Sequence, residues 1–98
     1  MRVRVGGRVG TRAVNRALAI ASALDGVVLD TGGWVAADAA GRGPDGRDVL
    51  AGRATVVEAL RNRCGVPVVG WGGALTPTER AILARRVEHE AGAVVVVA

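Results

Sequence analysis

Val27-Val28-Leu29-Asp30-Thr31-Gly32-Gly33 is the stretch on which the fold turns. Its first residues are continuously apolar rather than alternating, as in a strand covered on both faces, and they end at an acid followed by glycines. Val3–Val5, Val66–Trp71 and Ala93–Ala98 are further short apolar runs that look like strands, and the last is continuously apolar in the same way. Helix-like stretches separate the runs. Strand and helix in alternation predict a parallel sheet with right-handed crossovers. The expected fold is α/β, a three-layer sandwich on a small, mostly parallel sheet of about four strands, with residues 1–98 forming a single domain.

The first helix should start at Thr11, present Val14, Ala17, Leu18, Ala21 and Leu24 at helical spacing, and end at Gly26. The third carries the clearest local signal. Thr76-Pro77-Thr78-Glu79 supplies an N-cap, a proline at the first helical position and a reciprocal glutamate. Ile82, Leu83 and Val87 should then face inward, Arg86 should pair with Glu90, and Gly92 should close the helix. The middle is less regular. A short helix over Trp34–Ala40, a turn cluster from Gly41 to Gly46 and a longer helix over Arg47–Cys64 are expected, the last with Val49, Val56, Leu60 and Cys64 on its apolar side.

Composition narrows the chemistry. Of 98 residues 50% are hydrophobic, yet Trp34 and Trp71 are the only aromatics, so the core must be built from Val, Ala, Leu and Ile. The lone Cys64 excludes an internal disulfide and is expected as a small buried packing residue. His89, the one histidine, sits among Arg86, Glu88 and Glu90 and reads as a solvated helix residue. All 13 basic residues are arginine and the net charge is +4, but they are interleaved with nine acids and no aromatic ladder accompanies them. No apolar run approaches the roughly 20 residues of a membrane span. Met1-Arg2-Val3-Arg4 leads into glycines rather than an apolar leader, so a cytoplasmic protein is expected.

Three of the strands run straight into glycine pairs: Gly6-Gly7-Arg8-Val9-Gly10, Thr31-Gly32-Gly33-Trp34 and Trp71-Gly72-Gly73. In a parallel sheet all three would leave the carboxyl edge, where open α/β sheets bind ligands. Glycines there allow close backbone approach, and helix N-termini offer N–H groups to an anion. Gly7, Gly10, Thr31, Gly33, Trp34, Trp71 and Gly72 are the candidate ligand-binding residues. Asp30, at the end of a buried strand, needs a metal, a cation or N–H donors. A dinucleotide fingerprint fails because Val5 stands where its first glycine belongs.

The segment Val27-Val28-Leu29-Asp30-Thr31-Gly32-Gly33-Trp34-Val35-Ala36 resembles the opening of a PIN domain, a family of small metal-dependent ribonucleases. The likeness continues through Gly43-Pro44-Asp45 and on to Val66–Trp71, Ala74-Leu75-Thr76 and Glu79. It implies that Asp30 and Glu79 are catalytic acids holding Mg²⁺ or Mn²⁺, and that a metal-activated water cleaves RNA. The family's third and fourth carboxylates have no counterpart at matching positions, so the resemblance extends to a degenerate form.

Two other likenesses keep alternatives open. Val27–Asp30, Gly33, Asp38 and Gly41 resemble the core of STAS domains. Asp38-Ala39-Ala40-Gly41 stands where that family carries a phosphorylatable serine, which implies a non-phosphorylatable protein-interaction domain. Thr31-Gly32-Gly33 with Gly72-Gly73 and Thr76-x-x-Glu79 is similar to nucleotide-binding proteins of the Lonely Guy type. The expected function is thus a PIN-like ribonuclease domain, with a nucleotide- or phosphate-binding module or a STAS-like interaction domain as alternatives. RNA, a nucleotide or a protein is the expected partner. If Ala93–Ala98 lies at a sheet edge, its unpaired backbone would favour a homodimer.

Overall fold

A computed structural model describes residues 1–6, 11–30, 44–70 and 75–97. The elements are β1 (Arg2–Val5), α1 (Thr11–Leu24), β2 (Val27–Asp30), α2 (Gly46–Leu50), α3 (Val56–Ala59), β3 (Leu60–Arg63), β4 (Val66–Val69), α4 (Pro77–Ala91) and β5 (Val94–Val97). The result is a small α/β fold on a five-stranded sheet ordered β1-β5-β2-β4-β3. Four strands run parallel, and β3 is antiparallel to β4. No described helix is long and apolar enough to cross a membrane.

Alternate strand residues feed two apolar clusters, as the two sides of a pleated sheet require. Val28, Val68, Val95 and Val97 join Val14, Ala17, Leu18 and Ala21 of α1. Val27, Leu29, Val69 and Val94 join Val49, Val56 and Ala59 with Leu83, Ala84 and Val87 of α4. Small helix residues let α1 sit close on β-branched strands, which is how so aromatic-poor a chain closes a core.

Helix α1 ends as the spacing predicts, with one refinement. Asp25, not Gly26, takes the left-handed conformation (φ 55°), while Gly26 N–H reaches back to the Ala21 carbonyl at 2.9 Å. Gly26 is needed for a different reason: a Cβ there would lie 2.9 Å from the Ala93 carbonyl oxygen. Helix α4 carries the expected capping box, with Glu79 N–H donating to Thr76 Oγ1 at 3.2 Å and Thr76 N–H to Glu79 Oε1 at 3.0 Å. Gly92 closes it at φ 83°.

Several expectations need correction. The helix over Arg47–Cys64 is instead α2, a turn, α3 and β3. Gly52 at φ 76° breaks it, and the Thr55–Glu58 capping box starts a new helix. Cys64 is exposed, not buried. With φ values of 53° and 81°, Cys64 and Gly65 form the two-residue turn of a hairpin joining Arg63 to Val66. The hairpin brings the sheet to five strands, against the expected about four. The Val66–Trp71 run ends as a strand at Val69, short of Trp71. On α4, Ile82 is 49% exposed, while Leu83 and Val87 are buried. The Arg86 guanidinium donates to the Val49 carbonyl at 2.7 Å, tying α4 to α2 rather than pairing with Glu90. The terminal valine strand is interior, flanked by β1 and β2, so it offers no edge for a homodimer. The expected short helix over Trp34–Ala40 lies outside the described residues.

Candidate functional site

Because β1, β2, β4 and β5 are parallel, Val5, Asp30, Val69 and Val97 all close on the same rim of the sheet. The chain leaves that rim at Gly6, Asp30 and Gly70, the starts of the glycine-bearing segments. Asp30 occupies its middle. It ends the central strand, stands in register with Val97 and has no solvent exposure. On the other flank, Leu29 is in register with Val69, so Gly70 lies beside Asp30. The Gly70 carbonyl accepts the Gly46 N–H at 2.9 Å, which draws the start of α2 to the same place.

Two longer helices begin near this rim, and their N-termini differ. That of α4 is already satisfied. Pro77 has no N–H, Glu79 N–H goes to Thr76 Oγ1, and Glu79 brings a carboxylate to the first turn. The bond from the Thr76 backbone N–H holds the Glu79 carboxyl below its usual pKa range, and the Arg47 guanidinium adds to this. The N-terminus of α1 has no acid in its first turn and carries Arg12 there. Of the two, α1 is the one whose dipole and N–H groups suit an anion.

Alternation along β2 puts Asp30 on the side of Val28, the cluster that α1 completes, whereas Glu79 belongs to α4, which completes the other cluster. Among the described residues no group of three His, Cys, Asp or Glu side chains is placed to hold a metal ion. Gly7, Gly10, Thr31, Gly33, Trp34, Trp71 and Gly72 lie outside the described residues.

The rim also includes residues that the sequence did not single out as part of a site. Asp45 caps α2 by accepting from Arg47 N–H at 2.9 Å and Asp48 N–H at 3.2 Å, and Asp48 accepts the Asp45 N–H in return. Arg47, Leu50, Ala51 and Glu79 then line an open cleft between α2 and α4. The signal was the spacing Asp45-x-x-Asp48, a capping box with aspartate in place of glutamate.

The separation of β1 from β2 bears on the dinucleotide pattern. Strand β5 lies between them, so the acid ending β2 is one strand further from the β1 loop than a dinucleotide-binding arrangement requires. Compared with protein-family models, curated proteins and solved structures, the chain matches none.

Proposed function

We propose that the carboxyl rim of the sheet binds a nucleotide, with its phosphates toward the start of α1 and a hydroxyl or metal-bridged group against Asp30. The observation that carries this reading is the buried carboxylate of Asp30 at the centre of a rim from which three glycine-bearing segments depart. Strand β1 continues into α1 in one cluster and β4 into α4 in the other, and Asp30 sits between the two departures. Such a divergence is where open α/β sheets form their ligand crevice. Gly7, Gly10, Gly33 and Gly72 would let phosphate approach the backbone, and Trp34 or Trp71 would stack on the base.

The PIN-like reading uses the same acid. There Asp30 helps hold Mg²⁺ or Mn²⁺ and the ligand is RNA. It also asks Glu79 to join the metal, although its Oε1 already accepts the Thr76 N–H and α4 packs in the other cluster. Nucleotide binding without catalysis makes no such demand and is the reading we favour.

Thermal melts of the wild type and of Asp30→Asn test this, with ATP, ADP or a short RNA added in EDTA or in Mn²⁺. A ligand that binds the folded state at about 100 times its Kd adds about 2.7 kcal/mol of stability. Nucleotide stabilisation in EDTA that Asp30→Asn weakens supports the proposal. Stabilisation by Mn²⁺ alone, lost in Asp30→Asn, would transfer the site to the nuclease reading. No shift with any addition would leave an interaction domain of the STAS kind.

A further inference from the structure

A second surface lies away from the carboxyl rim. Strand β1 is an edge strand, paired with β5 on one side and with no strand on the other among the described residues. Val3 and Val5 turn toward the α1 cluster, so Arg2 and Arg4 point to the opposite side. There they form one wall of a groove of about 360 Å³, with Arg80, Ala81 and Ala84 of α4 as the other wall and Val96 beneath. The groove continues past Arg2 to Arg85 and Ile82, an apolar side chain left 49% exposed.

The charge in this groove is one-sided. Glu88 sits at one end, held below the usual glutamate range chiefly by its bond to the Met1 ammonium, and engages Arg2 at 3.3 Å. Arg4, Arg80 and Arg85 have no carboxylate within salt-bridge distance among the described residues. Like charges lining an apolar-floored groove repel one another until an anion enters.

We propose that this surface takes an acidic, extended segment of a partner protein, added as a further strand along β1. Three features choose this occupant. The edge of β1, which no other strand pairs among the described residues, offers backbone N–H and C=O groups that another chain in extended form can match. Arg2 and Arg4 are two residues apart, so both face the acidic side of an alternating strand with Asp or Glu at every second position. Among the described residues that line the groove there is also no aromatic side chain on which a nucleic-acid base could stack. Apolar side chains at the strand's end would cover Ile82.

The test uses a fluorescein-labelled Glu-Val repeat peptide, read by polarisation against the full chain. Saturable binding that falls about tenfold or more in Arg4→Glu and in Arg80→Glu supports the proposal. A Lys-Val repeat should not bind, and N-methylation of alternate peptide nitrogens should abolish binding by removing the strand pairing. Circular dichroism melts check that each variant folds, Arg4 being exposed and Arg80 half-buried. No saturable binding of the acidic peptide overturns the proposal, as does equal affinity for the N-methylated form. Tighter, arginine-dependent binding of oligouridylate would assign the groove to nucleic acid instead.

Discussion

Asp30 and Val97 stand side by side in register at the carboxyl rim, and neither side chain reaches solvent. A charged or polar group so placed is held by partners, and removing it strands them. Asp30→Ala should therefore lower unfolding free energy by about 1–3 kcal/mol in urea titrations. Asp30→Asn keeps shape and some hydrogen bonding, so it should cost less stability while removing the ligand response.

The register of α4 gives a sharper contrast. Leu83 is fully buried and its neighbour Ile82 is 49% exposed. Leu83→Ala should cost about 2–5 kcal/mol, by transfer and cavity terms together. Ile82→Ala should stay within about 1 kcal/mol of wild type in the same urea titrations. Equal costs would mean that α4 packs through a different face.

The sequence showed this helix's ends but not the direction of one residue. Thr76, Pro77, Glu79 and Gly92 act locally, so their meaning survives without tertiary context. Ile82 and Leu83 are adjacent and equally apolar, and only the packing against β5 and β2 decides between them. The same division explains the middle of the chain. Val49, Val56 and Leu60 have helical spacing, but Leu60 belongs to a strand because Cys64-Gly65 turns the chain back onto β4. The hairpin was hidden because cysteine holds a left-handed position where asparagine or aspartate is expected. Parallel strands and a glycine-bearing carboxyl rim were readable in advance. The interior position of β5 was not, since strand order depends on which crossover passes over which strand.

Gly26 is held by contact rather than by φ. Gly26→Ala would press its Cβ onto the Ala93 carbonyl oxygen at 2.9 Å and push α1 and β5 apart. The expected cost is about 1–3 kcal/mol, measurable as a lower urea midpoint with an unchanged slope.

Acid should weaken the fold through its caps. The carboxyls of Glu79 and Asp48 are held below their usual ranges, first by the backbone N–H groups of Thr76 and Asp45 respectively, and Glu88 by the Met1 ammonium. A depressed folded-state pKa gives stability that is present above the ordinary value, 4.5 for glutamate, and lost as pH falls through the folded value. Melting temperature should therefore drop as pH falls below that value. Thr76→Ala should cost about 1 kcal/mol near neutrality, and Glu79→Gln should make the acid dependence shallower by removing one of the titrating carboxyls.

The location of the ligand site is tested most directly by amide chemical-shift mapping with ¹⁵N-labelled protein and ATP in EDTA. The perturbed amides should gather at Gly6, Arg12, Asp30 and Gly70, with Val56–Arg63 unmoved and the response gone in Asp30→Asn. Perturbations centred on Arg4 and Arg80, or none at saturating nucleotide, would rule out a nucleotide site at the carboxyl rim.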